Sequence, residues 1–168
     1  MLEPLRPWLA GVYVELYSYI KAGFSTYYGV DHLIEEQARA RGAEIGYLET
    51  VEEQLSNFSV LSRGAEIAYL TAAVRGVLEE PHLQFELLSS WASGDTARLS
   101  DLLDEGFAEV PQLRARLLVG RNQKWIPKLK AMLASEKTHF VTVGAGHLVG
   151  RDSVVEMLRA RGYKVNGP

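Results

Sequence analysis

The 168-residue chain contains no cysteine. That excludes a disulfide framework, a thiolate metal site and a cysteine nucleophile, and leaves His, Asp, Glu and water as the only ligands for any metal. Histidine is scarce as well, with four in the chain, so imidazole chemistry has few places to reside. Positive charge is not in excess. Eighteen Lys and Arg against 21 Asp and Glu leave a net charge of -3, which argues against a phosphate-backbone partner and hence against nucleic acid. Long apolar runs are missing too. Residues 8–20 are rich in apolar and aromatic side chains, but Glu15 and Lys21 interrupt a stretch too short to span a bilayer, so no transmembrane segment is expected. The first seven residues carry an acid and two prolines and lack the basic-then-apolar pattern of a secretory leader. No repeat period or low-complexity tract is present.

With 47% hydrophobic and 23% charged residues, the chain reads as one soluble domain over 1–168 with a single core. Pro7 suits a first helical turn, and Gly23 ends the helix that follows it. Asp31 is placed as the N-cap of an amphipathic helix over about 32–41, with Leu33, Ile34 and Ala38 inward and Gly42 closing it. His32, beside it in the first turn, reads as a solvated or capping residue. Thr50 and Glu53 form a capping box for the next helix. Helices over 66–78, 83–91 and 96–103 follow by periodicity. The first puts Ile67, Leu70, Thr71, Val74 and Leu78 on one face, Trp91 reads as core, and Asp95 caps the third. Pro111 begins another helix, which Pro127 is expected to kink or restart. Lys128, Lys130 and Lys137 read as a solvated face.

Short strands are expected at 43–48, around Val141 and Val143, and at 163–165. The fold class is therefore α/β and predominantly helical, with a few short strands forming a small sheet covered by many helices.

The richest segment is Phe140-Val-Thr-Val-Gly-Ala-Gly-His-Leu-Val-Gly150. An apolar run ends in glycines and delivers His147 where imidazole either ligates a metal, moves a proton or merely bonds a carbonyl. Glu49 is the other conspicuous group. Capping does not explain it, and a carboxylate leaving the carboxyl end of a buried strand is placed like a site residue in α/β proteins. Arg121 and Asn122 sit among apolar and basic neighbours. Arginine offers a fixed fork of donors for a carboxylate or a developing oxyanion, with a structural ion pair as the default reading.

The order Pro7-Trp8, Gly29-Val-Asp31, Leu48-Glu-Thr50 with Glu53-Gln54, Trp91 with Gly94-Asp95, Arg121-Asn122 with Trp125, Val143-Gly-Ala-Gly-His-Leu-Val-Gly150 and Gly162-Tyr163 resembles the TraB/GumN family, which includes the Tiki proteins. The resemblance covers nearly the whole chain. It implies divalent-metal-dependent proteolysis, as in the Tiki branch, or inhibition of peptide signalling, as in the TraB branch, and it extends to bacterial GumN-like members. Its site uses two Gly-x-x-His motifs, an acid and an arginine. Gly144 and His147 match the second motif, Glu49 the acid, and Arg121 with Asn122 the later polar pair.

The first Gly-x-x-His motif has no counterpart, since Gly29-Val-Asp-His32 aligns with the family's Gly-x-Asp element. The chain thus resembles the carboxyl-terminal portion of a longer protein. Glu49 and His147 supply two metal ligands where a catalytic ion usually takes about three and an open position. Asp31, Glu52 and His32 are the remaining candidates, and a homodimer offers a second copy of His147. The resemblance implies a metal-dependent hydrolase, peptidase-like, with an incomplete or dimer-completed site acting on a peptide or protein. Glu49 would be ligand or general base, His147 a ligand, Arg121 an oxyanion stabiliser and Asn122 an orienter of substrate. The competing reading is a non-catalytic peptide- or partner-binding protein. Family members are often exported or membrane-associated, and this chain carries no address of its own.

Overall fold

The computed structural model describes residues 5–167; the leader reading of residues 1–4 lies outside them. The chain winds into helices α1 (Pro7–Lys21), α2 (Val30–Ala40), α3 (Val51–Ser59), α4 (Arg63–Glu79), α5 (Leu83–Ser93), α6 (Thr96–Phe107), α7 (Pro111–Arg114), α8 (Arg121–Leu133) and α9 (Val154–Arg159). Single 3-10 turns lie at Thr26–Tyr28 and Ala145–His147, and a π-helical stretch, Ala115–Gly120, joins α7 to α8. No helix among the described residues is long and apolar enough to cross a membrane.

The punctuation residues explain most boundaries. Pro7 stands at the start of α1, and the reciprocal bonds of Thr50 and Glu53 open α3. Asp95 and Ser153 accept the first-turn amides of Arg98 and Glu156 and so start α6 and α9. Gly42, at φ 70°, takes the left-handed turn after α2.

Two apolar clusters form the interior. Leu61, Tyr69, Val110 and Leu113 gather with Trp8, Val12, Phe58, Phe107 and Leu117. Trp125, Ile126, Leu129 and Val154 gather with Leu48, Val143, Met157 and Leu158. The run from α7 through the π stretch to α8 contributes to both and is the spine between them.

The expected α/β class is overturned, because no strand is present among the described residues. The segments at 43–48, 138–144 and 163–167 lie outside helices but form no ladder. Their apolar side chains are satisfied otherwise: Leu48 and Val143 pack on the face of α8 and α9. Their backbones are pinned by side chains, with Lys128 Nζ donating to the Leu48 carbonyl at 2.7 Å and Arg159 to that of Val165 at 3.3 Å. Alternation shows that one face is buried, but a ladder also requires a neighbouring backbone in register.

Other local expectations change as well. Asp31 lies inside the first turn of α2, whose N-cap is Gly29, and it accepts from Thr142 Oγ1 at 2.7 Å. None of Leu33, Ile34 and Ala38 is buried, because no element covers α2 fully. The buried face of α4 is Glu66, Tyr69 and Ala73, while Ile67 and Leu78 face outward. There α1 presents Gly11, whose missing side chain leaves room for the Tyr69 ring. Trp91 is half exposed rather than core. Pro127 neither ends nor restarts α8, and the irregular turn comes earlier, at Ala115–Gly120.

Candidate functional site

Four residues singled out from sequence come together between the spine and the loop that follows residue 138. Glu49 enters from the segment just before the α3 cap, Arg121 and Asn122 from the first turn of α8, and His147 from the 3-10 turn. The Gly-x-x-His motif is itself that turn, since the His147 amide donates to the Gly144 carbonyl at 2.9 Å. Gly146 is small for a reason. A methyl group there would come within 3.3 Å of the Leu103 side chain.

The π stretch sets the start of α8. Gly120 brings its Cα close to the Ala115 carbonyl, 3.1 Å from where a Cβ would stand. Wide turns of this kind are frequent at functional sites. Beyond it, Arg121, Trp125 and Lys128 share a helix face by their i, i+4, i+7 spacing. All three reach toward the segment carrying Glu49. Arg121 meets the carboxylate with Nε at 3.0 Å and Nη2 at 2.6 Å, Trp125 Nε1 donates to its other oxygen at 3.3 Å, and Lys128 holds the preceding carbonyl. Trp125 also lies against the His147 ring, centroids 4.5 Å apart, and under the Arg121 guanidinium at 4.9 Å. Trp125 and Lys128 were not recognised as part of the site from sequence. Their helical spacing from Arg121 was the available signal.

Hydrogen-bond directions follow from the partners. The Asp152 carbonyl can only accept, so it is the amide nitrogen of Asn122 that faces it, at 2.8 Å. The Asn122 oxygen therefore faces His147 Nδ1, 2.6 Å away, and that nitrogen carries the proton. Nε2 then holds the lone pair, and Arg121 Nη1 donates to it at 3.1 Å. Burial, with the Arg121 charge as the second cause, pushes the imidazole down to about 4, so it is neutral at neutral pH. Asn122 is 1% exposed and His147 5%, so this chain of bonds is shielded from water.

A divalent metal does not fit these residues as they stand. Glu49 and His147 are two ligand-type groups, the Arg121 guanidinium stands between them, and no group of three His, Asp or Glu side chains gathers among the described residues. The further candidates are engaged or distant. Asp31 bonds Thr142, and His32 lies 3.5 Å from Glu36 on the exposed side of α2. Glu52 projects from the exposed first turn of α3.

Sequence comparison places this architecture. The model of the TraB/PrgY/gumN family matches residues 1–167, and the chain belongs to that family. It is similar to the protein named Metalloprotease TIKI1 in Danio rerio, 26% identical over 165 residues that cover 81% of this chain and 33% of that protein. The TIKI1 protein of Homo sapiens is likewise 26% identical over 165 residues, covering 81% of this chain and 32% of that protein. Metalloprotease TIKI2 of Danio rerio is 23% identical over 163 residues, again 81% and 32% of the two chains. The chain thus spans about a third of the length of these curated relatives. No solved structure matches it.

Proposed function

We propose that this chain contributes the Glu49, Arg121, Asn122 and His147 constellation to a peptide-hydrolysing site that other groups complete. The observation that carries the reading is their convergence: a carboxylate, a guanidinium, an amide and an imidazole, drawn from three separate segments, share one bonded and shielded cluster. The relatives' names supply the reaction class. Within the cluster, Asn122 fixes the ring of His147, Glu49 fixes the plane of Arg121, and Arg121 keeps one Nη2 hydrogen beyond its bonds to Glu49, His147 and Leu117. That hydrogen is the donor available to a peptide carbonyl. A divalent metal would enter only with ligands from outside the chain.

A second copy of the chain is the proposed source of the completing groups. Large apolar side chains stay exposed on the single chain, Tyr17, Leu78 and Phe140 among them. Tyr13, Leu16, Tyr17 and Ile20 also form an exposed apolar stripe along α1. Analytical ultracentrifugation beside a peptide-hydrolysis assay tests the reading. A dimer whose hydrolysis is lost in His147→Ala supports it. A monomer, or a dimer without peptidase activity over a broad peptide library, leaves the binding-protein reading in its place.

A further inference from the structure

We infer that Arg121 is the site's built-in cation: its guanidinium takes the position between Glu49 and His147 that a divalent ion would need, so the isolated chain excludes such ions. The inference rests on the reading that these residues form the site, but it concerns occupancy and not turnover.

A metal at this place would bind a carboxylate oxygen of Glu49 and the lone pair of a neutral imidazole. Both are already used by one side chain: the Glu49 carboxylate at 2.6 and 3.0 Å, and His147 Nε2 at 3.1 Å. The imidazole cannot turn its other nitrogen to a ligand, because Nδ1 carries the proton given to Asn122, itself anchored on the Asp152 carbonyl. The guanidinium cannot drift. It is held by the Leu117 carbonyl at 3.1 Å and by the face of Trp125. A single positive charge thus balances the single negative charge of Glu49. A dication arriving without further acids would face that fixed cation and find only two ligands, both capped.

The experiment is a Co²⁺ titration of the purified chain at neutral pH, at a concentration where ultracentrifugation shows the monomer, followed by visible absorption and by metal retained after dialysis. Wild-type protein is expected to retain none. Arg121→Ala and Arg121→Met, which uncap both groups, are expected to bind Co²⁺ at least about tenfold more tightly, the size of effects exerted from around a ligand set. The gain should vanish when His147→Ala is added. Wild-type protein that retains one Co²⁺ through His147 overturns the inference, as do folded Arg121 variants with no gain. Should both variants unfold, nitrogen-15 NMR of wild-type His147 decides. Protonated Nδ1 with unprotonated, hydrogen-bonded Nε2, unmoved by Co²⁺, supports the assignment; the opposite tautomer, or a Co²⁺-induced shift of Nε2, defeats it. Peptidase activity is not part of this readout, so its absence would count only against the proposed function.

Discussion

His147 Nδ1 and Asn122 Oδ1 lie 2.6 Å apart, and the direction of the bond is settled by a third residue, because Asn122 spends its amide hydrogen on the Asp152 carbonyl. One asparagine therefore decides which imidazole nitrogen is available. Replacing it by alanine removes that decision and leaves a buried ring nitrogen and a carbonyl without partners. Asn122→Ala is expected to cost about 2 kcal/mol of stability. It should also convert the single tautomer of His147 into a mixture, seen by nitrogen-15 NMR. An unchanged single tautomer would refute the assigned role.

The depressed pKa of His147 makes stability depend on pH in one direction. The unfolded imidazole takes up its proton near 6.5, while the folded one waits until about 4. Between those values the unfolded chain binds more protons, so stability is full above 6.5 and falls as pH drops toward 4. The span corresponds to roughly 3 kcal/mol. Urea midpoints measured from pH 7 down to 5, above most carboxylate titration, should fall for the wild-type chain. The same series on His147→Gln should be nearly flat, and equal slopes would be inconsistent with this assignment.

Between α1 and α4, Tyr69 donates to Glu15 at 2.8 Å. Burial raises the Glu15 carboxyl above its ordinary range, only partly offset by that bond, and it raises the Tyr69 phenol with the Glu15 charge as the second cause. A raised carboxyl contributes less to stability once the pH passes above it. Glu15→Gln keeps an acceptor for Tyr69 and removes a partly buried charge, so it is expected to raise the melting temperature, by about 1 kcal/mol in stability terms. A lower melting temperature at neutral pH would contradict the account.

The capping box next to Glu49 is a separable test. Thr50→Ala should cost about 1 kcal/mol by removing the first-turn bond to Glu53. Because Glu49 is also held by Arg121 and Trp125, and the Leu48 carbonyl before it by Lys128, the site should survive this loss. The Trp125 indole Nε1–H resonance, whose proton goes to Glu49, is the readout, and its large displacement in Thr50→Ala would show that the cap, and not α8, positions the acid.

The helices were legible in the sequence because their signals are local. The Thr50 and Glu53 pair and Asp95 mark helix starts through bonds to atoms only a few residues away, and Pro7 and Pro111 through the backbone angle that their rings fix. The same locality misled at Asp31, where a capping residue type sits two positions after the actual N-cap, Gly29. It also misled at α4, where apolar periodicity indicated a face but Gly11 on another helix selected a different one.

What the sequence by itself determined is the succession of helices, the turn formed by Gly144 through His147, and the family. Each depends on residue types at short spacing or on their order along the chain. Tertiary structure alone decided that the extended segments make no sheet and that Arg121 lies between the acid and the imidazole. Ladder pairing and the direction of a side chain's bonds depend on atoms brought together from distant positions, and 72 residues separate Glu49 from Arg121.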